Sequence, residues 1–200
     1  MIVLLDNGHG AETPGKRSPD GVLREYRIAR HIVRDLTRRL NQFGYDTRML
    51  VPEENDIPLA ERCRRANAIC EKYGKDNVLL VSVHVDASGS DGQWHGARGW
   101  SCFTTRGITK SDDLARCFYD EADKRLMPRL VRKFNGDKEP DFEAGFYILK
   151  HTQCPAVLTE NFFMDNKDDV SFLLSREGHE TVVGIHMNAI TSYIVKYGKR

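Results

Sequence analysis

The stretch Ile2-Val3-Leu4-Leu5-Asp6-Asn7-Gly8-His9-Gly10 decides how the remaining sequence is read. Four consecutive apolar residues, two of them β-branched, predict a short strand buried on both faces, as in a parallel sheet. The run then breaks into Asp6-Asn7-Gly8-His9-Gly10, where glycines on either side of His9 let the chain turn sharply while the imidazole projects from the strand's carboxyl end. In open α/β sheets that edge is where ligands gather. Alone, His9 reads as a hydrogen-bonded turn residue sooner than as a functional group, so the decision falls to whatever else reaches the same edge.

Two hundred residues are enough for one domain with a substantial core, and residues 1–200 are read as a single domain. Hydrophobic residues make up 40% and charged residues 30%, as in a soluble globular protein. A net charge of +1 gives no overall case for binding nucleic acid or an acidic surface. No run approaches the roughly 20 apolar residues a membrane span requires. The chain enters its first strand at Ile2 with no basic segment, apolar stretch or cleavage site before it. The expectation is residence inside the cell until released by another route, or a trimmed chain. Cys63, Cys70, Cys102, Cys117 and Cys154 are odd in number, scattered and without a CxxC pair, so they read as small buried hydrophobes in a reducing compartment.

Working outward from the first strand, residues 11–21 form a long loop punctuated by Pro14-Gly15, Ser18-Pro19 and Asp20-Gly21. A helix follows over 23–43, its apolar stripe built from Ile28, Ala29, Ile32, Val33, Leu36 and Leu40, with Arg30, Arg34, Arg38 and Arg39 mostly outside it. Glu25 lies in its first turn, near the inward face. Strand 45–51, helix 59–73, strand 78–83 and strand 97–105 come next. A helix capped by Ser111 and running to about 130 follows, then strands 146–149 and 156–159. A short helix capped by Asn166 and a final helix over 177–197 close the chain. The charged, irregular segment 131–145 reads as a flap. Alternating strands and helices predict an α/β fold: three layers, with a mostly parallel central sheet flanked by helices.

Three of the buried strands end in residues that can bind metal or move protons: His9, His84 and Glu160. Glu25 opens the helix that leaves the first strand's loop. Two imidazoles and a carboxylate with one open position make the donor set of a catalytic zinc site. A second carboxylate outside the coordination sphere can take a proton from water and return it to the departing amine. The bland alternative is a set of structural histidines, with Glu25 serving the helix dipole. Nothing as compact as an HExxH motif separates the two.

The ordered strings LDNGHG (5–10), Glu25, LAERCRRAN (59–67), SVHVDA (82–87) and PAVLTENFFMDNKDD (155–169) resemble the zinc-dependent N-acetylmuramoyl-L-alanine amidases of the type-3 family, and span nearly the whole chain. The resemblance implies a peptidoglycan hydrolase that cuts the amide between N-acetylmuramic acid and the L-alanine of the stem peptide. Carried over by position, His9, Glu25 and His84 would bind one Zn2+ ion and Glu160 would be the general base. It also implies a monomer acting on the bacterial cell wall, with peptidoglycan as the partner. Asn7 stands where the family often has proline, and Asp86 where asparagine is frequent. With no export signal, wall-binding repeat or occluding helical insert in the sequence, a phage-type lysin or stand-alone autolysin is the expected setting. A zinc metallopeptidase cutting within the stem peptide and a non-catalytic wall-binding module are the competing readings. The second is disfavoured by the presence of all four site residues.

Asp86 could orient the ligands or meet substrate. His95 and Trp94, in the glycine-rich loop 88–96, could approach substrate; an exposed loop histidine is the more ordinary reading of His95, while stacking on substrate and simple packing are equally ordinary for Trp94. Trp100 poses the same choice between stacking on sugar and packing. His151, His179 and His186 read as surface or helix-packing residues, and the basic segment 124–138 as a solvated face.

Overall fold

The computed structural model describes residues 1–134, 136 and 139–198. Strands β1 (Ile2–Asn7), β2 (Thr47–Met49), β3 (Val78–Asp86), β4 (Trp100–Thr104), β5 (Phe142–Glu143) and β6 (Ala156–Phe163) form one sheet in the order β2-β1-β3-β6-β4-β5. β2, β1, β3 and β6 run parallel, whereas β4 is antiparallel to β6 and carries β5 parallel to itself. Helices α1 (Glu25–Gln42), α2 (Leu59–Tyr73), α3 (Lys110–Arg125), α4 (Tyr147–His151), α5 (Lys167–Leu174) and α6 (Arg176–Tyr197) cover both faces.

The apolar runs are continuous because each face feeds a different core. Val3, Leu5, Leu79, Val81 and Val83 pack with the stripes of α1, α3 and α6. Ile2, Leu4, Val78 and Leu80 point the other way, into the core that α2 and α4 close with Cys63, Ala66, Ile148 and Leu149. This is the three-layer arrangement expected from the alternation of elements. All five cysteines are free and buried, as their reading as small hydrophobes requires. Among the described residues no helix is long and apolar enough to cross a membrane.

Some expectations are corrected. Residues 146–149 form no strand: Tyr147–His151 is the short helix α4, with Tyr147 and His151 stacked at 3.9 Å and Ile148 and Leu149 buried against α2. A four-residue apolar run carries too little periodicity to tell the two apart. The α3 cap is Thr109 rather than Ser111, through a capping box with Asp112, and the helix stops at Arg125. Arg30 is buried, because its guanidinium reaches back to backbone carbonyls of Glu53 and His9. In segment 131–145, Val131 bridges Trp100 and Phe142–Glu143 pairs with β4, so these residues belong to the sheet edge. Residues 135, 137 and 138, which belong to that flap and to the basic segment, lie outside the described residues.

Candidate metal and proton-transfer site

His9 leaves β1 with φ 59°, a left-handed conformation that costs a non-glycine residue about 1 kcal/mol or more. Two arginines hold it there. Arg30 from α1 donates to the His9 carbonyl at 3.0 Å, and Arg62 from α2 donates to the same oxygen at 3.3 Å. The flanking glycines are sterically required. A Cβ on Gly8 would lie 2.5 Å from the His84 ring, and one on Gly10 would lie 2.1 Å from the Asp56 backbone nitrogen. The turn can therefore press the two imidazoles together edge to face, with centroids 5.2 Å apart.

Glu25, the first residue of α1, is 1% exposed. Its Oε1 accepts from the Val85 amide at 3.1 Å and lies 3.0 Å from His84 Nδ1. Its Oε2 lies 3.4 Å from His9 Nε2 and is buried with no hydrogen-bond partner. One donor atom from each of His9, Glu25 and His84 falls within 4.8 Å of the others. Burial pushes the Glu25 carboxyl upward, but the His84 hydrogen bond and the two imidazoles outweigh it and bring it below its usual range. Burial lowers His9 to about 4, reinforced by His84 and opposed by Glu25, so its ring is neutral and able to ligate at neutral pH.

Behind His84 runs a chain of polar groups whose direction fixes its tautomer. Asp6 is held by Arg62 at 2.8 Å, both side chains being almost fully buried. Ser82 Oγ donates to Asp6 Oδ2 at 2.5 Å and lies 3.1 Å from His84 Nε2. With its one proton given to Asp6, Ser82 accepts from Nε2–H, which turns the lone pair of Nδ1 toward Glu25. In that neutral tautomer two acceptors, Nδ1 and Oε1, face one another at 3.0 Å beside the unpartnered Oε2, and only a proton or a metal ion between them reconciles the contact. A cation among the three side chains resolves that conflict, and the donor set of two nitrogens and a carboxylate fits a zinc-like ion.

Glu160 sits in register with His84 across β3 and β6. Immediately beyond it β6 bulges, with Phe162 at φ 67° opposite the register shift, while Asn161 donates to the His84 carbonyl at 2.9 Å. Glu160 Oε2 is buried without a hydrogen-bond partner. Burial, then the nearby Glu25 and Asp86 carboxylates, push its pKa well above the usual range, against partial relief from Lys16 and Arg132.

The other sequence candidates lie outside this cluster. Asp86 bonds the Ala87 amide at 2.8 Å and Arg132 at 3.2 Å, and makes no hydrogen bond to His9, Glu25 or His84. His95 pairs with Asp91 at 2.9 Å inside its own loop. Trp94 rests partly buried against the core with the Lys167 ammonium 5.7 Å from its ring centroid. Trp100 packs: it is fully buried, its Nε1 donating to Asn161 at 3.1 Å. Asp6, Ser82, Arg62 and Arg132 were missed by the sequence reading. Asp6 and Ser82 did leave a signal, as paired polar residues inside otherwise apolar strands.

Comparison with known proteins follows the same lines. A family profile described as N-acetylmuramoyl-L-alanine amidase matches residues 3–192. The endolysin of Bacillus phage SPP1 is 29% identical over 177 residues, covering 86% of this chain and 58% of its own. The N-acetylmuramoyl-L-alanine amidase AmiC of Neisseria meningitidis is 34% identical over 211 residues, covering 86% and 47%. The chain thus spans about half the length of these curated relatives. Among solved structures, an N-acetylmuramoyl-L-alanine amidase from Clostridium difficile superposes with a TM-score of 0.79 at 21% identity, covering 98% of each chain, and shares the fold.

Proposed function

Because the chain belongs to the N-acetylmuramoyl-L-alanine amidase family, we propose that it hydrolyses the amide between the lactyl group of N-acetylmuramic acid and the L-alanine of the peptidoglycan stem. His9, Glu25 and His84 hold one zinc ion in this reading, and Glu160 is the general base. The observation that carries it is the buried Glu25 Oε2, left without a partner between two imidazoles and beside a second unpartnered carboxylate.

Zinc bound at these side chains supplies Lewis-acid polarisation of the scissile carbonyl and makes water nucleophilic near neutral pH. The protein's own groups do the rest. Glu160, with its proton affinity raised by burial, takes a proton from the attacking water and delivers it to the departing alanine nitrogen, which cannot leave as an anion. Ser82 and Asp6 keep the His84 ring in the ligating tautomer, and the carbonyl clamp from Arg30 and Arg62 keeps His9 in its strained turn. The setting we propose is wall lysis, in keeping with the phage endolysin among its relatives.

Digestion of purified sacculi, with mass spectrometry of the soluble products, tests the reading. Intact stem peptides with free N-terminal L-alanine are expected. Shortened stems would instead identify a metallopeptidase, and no soluble product from zinc-loaded protein would leave a binding module.

A further inference from the structure

Arg132 is a held guanidinium with little to do. Its backbone is tied on both sides, the amide to the Trp100 carbonyl at 2.8 Å and the carbonyl to the Tyr119 hydroxyl at 3.0 Å. Its side chain lies across two aromatic rings, 4.8 Å from the Phe163 centroid and 5.7 Å from that of Phe142, which fix the plane of the group. Within the described residues its one side-chain hydrogen bond is the 3.2 Å contact with Asp86, so four of its five N–H donors are uncommitted. The side chain is 37% exposed, and its charge is felt at Glu160. It is an immobilised cation at the rim of the proposed reaction centre, open to solvent on one side.

Its position along the sheet says what it would meet. Asp86, which anchors it, lies two residues beyond His84 on β3, a displacement of about 7 Å. The second residue of a peptidoglycan stem is a glutamate whose α-carboxyl is either free or capped as a primary amide. Consecutive Cα atoms are 3.8 Å apart, which places that carboxyl roughly 6 Å from the nitrogen released by cleavage. A planar guanidinium with free, parallel N–H donors suits a carboxylate, whereas an amide carries no charge and turns its own N–H groups toward the donors.

We propose, on the amidase reading above, that Arg132 receives the free α-carboxylate of the second stem residue and so makes the enzyme prefer unamidated over amidated stems. The test uses two muropeptides that differ only at that group, carrying D-glutamate or D-isoglutamine. The zinc-loaded protein should cleave the acid with a kcat/KM about tenfold or more above that for the amide, the difference residing in KM. Arg132→Gln should bring the ratio to about one, and Arg132→Lys should restore part of it. The Glu160→Gln protein should bind the acid about tenfold more tightly than the amide, which reads recognition without turnover. Equal rates or equal affinities for the two, or an Arg132→Gln loss shared equally by both, would overturn the assignment while leaving the amidase reading intact. Cleavage of both ligands within the stem would overturn both.

Discussion

At the amino ends of β3 and β6 the sheet borders a groove of about 610 Å3 lined by Lys75, Lys110, Lys150, Thr109 and Cys154. At the carboxyl ends lie two pockets of about 320 Å3 each, one lined by Gly15, Ser18, Ala87 and Asp165 and one by Ala11, Thr13, Lys16 and Tyr26, and the same edge carries His9, Glu25, His84 and Glu160. The amino end is a bowl of solvated lysines, with Lys110 paired to Asp76 at the surface. The carboxyl end leaves three carboxylate oxygens, Glu25 Oε2, Glu160 Oε2 and Asp165 Oδ1, out of water and without hydrogen-bond partners. Desolvating an ionisable group is expensive, and a fold retains such atoms where a ligand completes them. Unmet polar demand marks the chemistry here, and open volume does not.

That contrast can be broken at several strengths. The largest effect is expected at the cluster itself. Glu160→Gln should keep stoichiometric zinc by elemental analysis and lose about a thousandfold in turnover, while His84→Ala should lose metal and activity together. Loss of metal from the Glu160 variant would exchange its role with that of Glu25. Excess chelator should abolish activity and added zinc restore it.

Next in size is a pH effect just beneath the site. His186 is fully buried on α6, its Nδ1 donating to the Val182 carbonyl and its Nε2 accepting from Thr159, the neighbour of Glu160. Burial lowers its pKa to about 4, so the folded protein binds fewer protons than the unfolded chain between about 6.5 and 4. The associated stability is fully present above pH 6.5 and is lost as pH falls toward 4, on the order of 3 kcal/mol in all. Denaturant titrations at pH 7 and 4.5 should show that slope, and His186→Gln should make it shallower, leaving the share that His9 contributes over the same range.

Smaller still is the expected effect of Ser82→Ala, which frees the His84 ring: zinc affinity should weaken about 10- to 100-fold in competition with a chromophoric chelator. Unchanged affinity would remove the Asp6–Ser82 chain from the site's design. At the opposite end, Lys110→Ser and Lys150→Ser should leave sacculus hydrolysis unchanged and shift stability by no more than about 0.5 kcal/mol. A marked loss of activity there would defeat the contrast.

The same contrast explains what could be read from the sequence. β1, β3 and β6 were legible because burial on both faces makes an uninterrupted apolar run, and the four clustered residues were legible because each follows such an apolar run or opens the helix after it, although β3 continues past His84 to Asp86 and β6 past Glu160 to Phe163. β5 was not, since two residues, Phe142 and Glu143, hold no period at all, and the antiparallel direction of β4 leaves no trace in its own composition. Asp86 was noticed but its partner was not. Arg132 lies 46 residues away, and an ion pair between a strand end and an irregular segment has no repeat to announce it.

The register that joins β1, β3 and β6 also sets a timetable. His9, His84 and Glu160 arrive on strands separated by long crossovers, and parallel pairings of that kind close late, after the entropy of the intervening chain has been spent. Glu25 can reach its place only when β3 already lies beside β1, because its Oε1 is fixed by the Val85 amide. A nascent chain lacking β6 would own three ligands and no base. On the proposed roles, metal capture would thus report the β1–β3 pairing, and a refolding experiment that follows zinc uptake would be timing that closure.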